Sequence, residues 1–119
     1  MSAPSSALTV RWSLAGAPAG VEQRLRDYVA QTSHARFETR DGLRFKTWRM
    51  RAGEWFEGCY VFVDDAARAA FQEAFTADAD DSPGSRIVGS GPVLIEECEV
   101  VAVAGGPEGF VSSPSYDAG

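Results

Sequence analysis

The chain of 119 residues is poor in the side chains that build metal and disulfide sites: two cysteines, one histidine and one lysine. Cys59 and Cys98 are too few for a disulfide framework or a structural zinc site. A lone His34 excludes a multi-histidine metal centre within one chain. Every cation besides Lys46 is an arginine, a bias that reads as overall composition rather than function. Positive charge is also in deficit. The net charge is −6 and the sequence pI is about 4.7, which argues against nucleic acid and against an anionic membrane surface. No apolar run approaches the roughly 20 residues of a spanning helix. The N-terminal Met-Ser-Ala-Pro-Ser-Ser-Ala lacks the charged and apolar regions of a secretory signal, so the expected location is the cytoplasm. There is no G-x-S-x-G elbow. Gly89-Ser-Gly91 precedes a strand and reads as a turn rather than a dinucleotide site. Asp78, Asp80 and Asp81 lack the spacing of a calcium loop. No cofactor or metal is therefore expected.

What remains is a globular composition, 45% hydrophobic and 24% charged, long enough for one domain with a real core. Residues 1–6 are small and polar and read as a flexible start. From Ala7 to Leu14 apolar residues alternate, with Leu8, Val10, Trp12 and Leu14 on one face of a strand. After the Gly16–Gly20 breaker cluster, Val21, Leu25, Tyr28, Val29 and Thr32 fall at helical spacing, giving a helix to about His34. Asp41-Gly42 is a turn. Leu43–Met50 and Trp55–Val63 read as a hairpin about Ala52-Gly53. Asp64 and Asp65 suit the N-terminus of a second helix, which ends before the acidic stretch 76–84. Val93–Ala104 is the last strand, and 105–119 reads as a flexible C-terminal tail.

The order β-α-β-β-α-β makes the fold class α+β and ferredoxin-like: a four-stranded antiparallel sheet with two helices on one face, over residues 7–104. This reading sets the first and third strands side by side and parallel. It also separates Cys59 from Cys98 by two strand spacings, roughly 9–10 Å, too far for a disulfide.

The hairpin has two unlike faces. With the turn centred between Ala52 and Gly53, opposed residues sum to 105. Leu43, Phe45, Thr47 and Arg49 then share a face with Phe56, Gly58, Tyr60 and Phe62, beneath the helices. Trp48, Met50 and Trp55 fall on the other face, too apolar for solvent, which predicts that two sheets pack together as a homodimer through these three residues. A slip of one residue exchanges the faces.

The run Gly42-Leu-Arg-Phe-Lys-Thr-Trp48, followed by Gly58-Cys-Tyr60-Val-Phe62, resembles the YdhR-like monooxygenases of the dimeric α/β-barrel superfamily. The resemblance rests on Gly42, Phe45, Lys46, Trp48, Gly58, Tyr60 and Phe62, and the element order agrees over about residues 7–104. It implies a dimeric barrel and a cofactor-independent monooxygenase acting on an aromatic or polyketide-like small molecule, a small hydrophobic ligand held between sheet and helices. The alternatives are a non-redox isomerase or cyclase in the same pocket, and a non-catalytic dimeric ligand-binding or stress protein. In the oxygenase reading an electron-rich substrate, once deprotonated, itself reduces dioxygen, while the protein excludes water and stabilises the anion. The candidate catalytic residues are Tyr60 as hydrogen-bond donor or acid/base group, His34 as base and Arg49 as anion stabiliser. Trp12, Phe45, Thr47, Phe56 and Phe62 are the candidate substrate wall, each with plain core packing as the competing role.

Overall fold

A computed structural model describes residues 5–116; residues 1–4 of the expected flexible start and 117–119 of the expected tail lie outside the described residues. Four strands, β1 (Ser6–Ser13), β2 (Leu43–Arg51), β3 (Trp55–Phe62) and β4 (Leu94–Glu99), form one sheet in the order β2-β3-β1-β4. Every neighbouring pair is antiparallel. The architecture is α+β and compatible with a ferredoxin-like fold. The expected parallel pairing of the first and third strands is corrected. β2 and β3 reverse through a hairpin, and β1 runs with β2, so β3 between them opposes both.

The helices gather on one face. α1 (Val21–Tyr28) passes through a π-helical turn, Val29–Ser33, into α2 (His34–Glu38), so the helical segment runs past the His34 end expected from periodicity. α3 (Asp65–Ala77) begins where the Asp64 carboxylate accepts the Ala67 N–H at 2.8 Å, satisfying one of the open donors of the first turn. α4 (Pro83–Val88) starts with its proline where the missing N–H costs nothing, and stops at Gly89 with φ 91. Leu8, Val10 and Trp12 from β1, Phe56, Tyr60 and Phe62 from β3, and Leu25, Val29, Phe37 and Phe71 from the helices form the buried core. Burying each such side chain contributes about 1.5–3 kcal/mol before entropy is counted. Among the described residues no helix is long and apolar enough to cross a membrane.

The hairpin register differs from the expected one by a single residue. The loop has three residues, Ala52–Glu54, closed by the Glu54 N–H to the Arg51 carbonyl at 2.9 Å and centred on Gly53 with φ 77. Arg51 therefore faces Trp55, Trp48 faces Gly58 and Lys46 faces Tyr60. An irregularity between Leu43 and Phe45 restores Leu43 to Phe62, as one extra residue in a strand does. The side chains of a strand alternate, so this slip moves the middle of β2 to the opposite face. Lys46, Trp48 and Met50 come under the helices, while Phe45, Thr47 and Arg49 go to the open face. The β1 and β3 faces are as expected.

The last strand ends at Glu99, well short of Ala104. Residues 101–116 carry no regular structure, yet the Ser112 hydroxyl donates to the Glu38 carboxylate and meets His34 Nε2 at 3.2 Å. The Cys59 and Cys98 thiols are free, on strands separated by β1.

Candidate functional site between the sheet and the helices

A cavity of about 170 Å³ lies between the helices and the sheet. Its floor is β-sheet: Trp12, Lys46, Trp48, Phe56, Gly58 and Tyr60. The roof is Phe37 and Phe71, and α4 closes one end with Pro83 and Gly84. An apolar cavity of about 150 Å³ accommodates benzene, so the space suits one ring or a short chain of similar bulk.

Trp12 is locked in place. Its indole N–H donates to Ser85 Oγ at 3.0 Å, and that hydroxyl donates to the Ala79 carbonyl at 2.6 Å. Gly84 lies flat against the indole, where a Cβ would come within 2.9 Å of the ring. The π-helical turn sets the buried Ser33 on the cavity wall; such turns are frequent at functional sites.

Lys46 is the polar centre of the site. Its stem crosses the notch left by Gly58, whose absent Cβ would meet both Lys46 Cε and Tyr60 Oη at 3.1 Å. Nζ sits 3.6 Å from the centroid of Phe37, 4.3 Å from Tyr60 and 4.4 Å from Trp48. Among the described residues this amine has no carboxylate or hydrogen-bond acceptor. Burial, then the nearby Arg36 guanidinium, hold its pKa well below the usual lysine value, although the ring faces favour the charged form. Tyr60, on the same wall, is pushed far above the ordinary phenol value, first by burial. It stays protonated as a donor, and its hydroxyl has no hydrogen-bond partner among the described residues. Arg36 and Arg40, both exposed, stand at the cavity's edge, and Arg40 lies 4.7 Å above the Phe71 ring.

The structure brings Tyr60, Trp12 and Phe56 together on the cavity wall. Phe62 is wholly buried behind it, stacked on Tyr60 at 6.0 Å. The register removes three expected site residues. Phe45 and Thr47 lie on the open face, and so does Arg49, bound there to Glu57. His34 is outside the lining but lies tilted against Trp48, ring centroids 5.9 Å apart, between the wall and Ser112. Of the three expected interface residues, only Trp55 is on the open face; Trp48 lines the cavity and Met50 packs on the core. Sequence reasoning missed Lys46, Arg36, Arg40 and Phe37. The available signal was a sole lysine set among aromatic residues in the hairpin motif.

The open face holds a second charged group. Glu57 has no solvent-accessible surface, yet it is fully paired. Arg11 Nε reaches its Oε1 at 2.8 Å, Arg49 Nε its Oε2 at 2.7 Å, and the Cys59 thiol donates to Oε2 at 3.3 Å. Burial would raise the carboxyl's pKa, but the bonds from Arg11, Arg49 and Cys59 outweigh it and hold it below the usual range. Burial and the adjacent carboxylate push the Cys59 thiol up. Arg11 also lies 4.3 Å above the Trp55 ring. Among the described residues no group of three His, Cys, Asp or Glu side chains is arranged to hold a metal ion.

No family model matches the chain, and no curated protein does. Among solved structures, the chain is similar to the NE2512 protein of unknown function from Nitrosomonas europaea, with a TM-score of 0.61 and 24% identity over 87% of this chain and 96% of that one. At that identity the likeness concerns the fold.

Proposed function

We propose that the protein is a cofactor-independent monooxygenase of the YdhR-like kind, acting on a small aromatic or polyketide-like carbon acid. The observation that carries this reading is the unpaired Lys46 amine on the wall of an aromatic cavity. A lysine whose pKa is held well below its usual value is better suited to proton abstraction than an ordinary one. Lys46 takes a proton from an activated C–H, Tyr60 donates a hydrogen bond to the resulting oxyanion, and Arg36 and Arg40 favour negative charge. The flat walls of Trp12, Phe37 and Trp48 orient the ring and exclude water. The electron-rich anion then reduces dioxygen. In balance, a CH2 group and one O2 become a carbonyl and one water. The cavity volume favours single-ring substrates or compact dicarbonyls over polycyclic ones.

This proposal moves the acid/base work from His34 and Arg49 to Lys46, and keeps Tyr60 as donor. An isomerase or cyclase would use the same first step, with no oxygen consumed. A homodimer through the open sheet face is part of the proposal. Among the described residues no helix covers that face, and Phe45, Val61, Trp55 and Leu94 all keep some exposure there.

The test joins native mass spectrometry to oxygen uptake with single-ring phenols and 1,3-dicarbonyls. The expected result is a dimer that consumes oxygen, and loses about 10²–10⁴-fold of its rate in Lys46→Met, as removal of a general base does. Turnover without oxygen uptake favours the isomerase reading, and binding without turnover the non-catalytic one.

A further inference from the structure

The lone pair with which Lys46 would take a proton can instead attack a carbonyl carbon. The Lys46 amine is enclosed by three aromatic rings, has no anionic partner, and lies close to the Arg36 guanidinium. Desolvation and a neighbouring cation are the two conditions that free a lysine amine for attack on a carbonyl. Open space lies beside it, and the protonated Tyr60 hydroxyl shares the same Gly58 notch. Nucleophile, proton donor and room for a small electrophile therefore coincide.

We infer that Lys46 is an imine-forming residue, and that its substrates are small ketones with an acidic α-carbon, 1,3-dicarbonyl compounds above all. Nζ adds to the carbonyl carbon to give a carbinolamine. The hydroxyl takes a proton from Tyr60 and leaves as water, and the nitrogen keeps its own proton in the resulting iminium. The Tyr60 phenolate then takes back a proton from the α-carbon, which restores the phenol and gives the neutral enamine, conjugated in a 1,3-diketone with the remaining carbonyl. One water is released in forming the adduct and one is consumed in its hydrolysis, with no net oxidation. The inference deepens the proposed function and rests on its placement of substrate at Lys46: the enamine is the electron-rich carbon that dioxygen, or a proton, would then meet.

The test uses the full chain with 2,4-pentanedione across a pH series. Enaminone formation is read by near-ultraviolet absorbance and by an intact mass raised by one probe less one water. Lys46 is the sole lysine, so peptide mapping separates it at once from the N-terminal amine. We expect saturable labelling of Lys46 at neutral pH, at least about tenfold faster than free Nα-acetyl-lysine, because a larger share of the amine is neutral and ready to attack. Lys46→Arg should leave only N-terminal labelling. Arg36→Met retains the nucleophile and should move the pH dependence of labelling upward, which keeps the idea testable if the lysine variant fails to fold. Labelling confined to the N-terminus, or Lys46 labelling at the rate of free lysine, overturns the inference. Loss of oxygen uptake in Lys46→Met without any adduct overturns the imine and leaves proton abstraction standing. An adduct with no oxygen uptake from any carbon acid upholds the imine and overturns oxygenation.

Discussion

The two faces of the sheet each draw a charged side chain out of bulk water, Glu57 wholly and Lys46 in part, and they treat it in opposite ways. On the open face Glu57 is wholly buried, but two arginines and a thiol satisfy its oxygens. On the helix face Lys46 is enclosed by aromatic rings without an anion. Pairing makes the first group inert, because attraction and hydrogen bonds in a low-dielectric setting offset its desolvation. Desolvation without pairing favours the neutral form of the second group, the form that the proposed chemistry uses. Burial alone therefore does not mark a site; burial without a partner, beside open space, does.

The largest expected effect tests the paired side of this contrast. Glu57→Ala leaves Arg11 and Arg49 without their acceptor and should destabilise the fold by about 2–3 kcal/mol, measured by chemical denaturation. The value falls short of the loss from a fully buried pair because both arginines keep access to water. The pH dependence follows from the lowered carboxyl pKa. Unfolded chains bind more protons in the window below the ordinary glutamate value, so this stability is present above about pH 4 and is lost as pH falls further. Glu57→Gln should flatten that acid limb.

Lys46 should behave in the reverse manner. Replacing it by Met, which is similar in length and apolar, should stabilise the fold by about 1–2 kcal/mol at neutral pH while lowering the proposed turnover about 10²–10⁴-fold. A stability–activity trade at one residue is the mark of a group kept for chemistry. The folded pKa is depressed, so the unfolded chain holds the extra proton between that value and about 10.4. Wild-type stability contributed by this residue rises with pH through the window, and the advantage of Lys46→Met should shrink toward zero at its upper end. An advantage that does not vary with pH would mean that the amine is not perturbed.

The smallest effect concerns the thiols. Cys59 lies beside the Glu57 carboxylate with its pKa raised, whereas Cys98 is exposed. Iodoacetamide should alkylate Cys59 about tenfold more slowly than Cys98 at pH 8, because the thiolate is the nucleophile. Loss of the difference in Glu57→Gln would tie it to the carboxylate rather than to access alone.

The alternation in β1, the breaker clusters, the Asp64 cap and the helical spacing of Val21, Leu25 and Val29 each act over a few residues, so the element order and the inward faces of β1 and β3 were legible from local pattern. Tyr60, Trp12 and Phe56 were found on the cavity side for that reason. Lys46, Trp48, Phe45 and Arg49 were assigned to the wrong faces because their side depends on how β2 meets β3. A three-residue loop around Gly53 and an extra residue near Arg44 set that register. Neither breaks the apolar pattern of a strand whose two faces both carry aromatic residues. With a side-chain period of two, one residue is the whole difference between a lysine on the open face and an amine in an aromatic cavity. The sequence by itself determined the class of fold, the order of its elements and the composition of its core. Only the tertiary structure decided which charge would be paired and which left alone, because that depends on how Arg11, Arg49, Phe37 and Arg36 are brought in by strand register and helix packing.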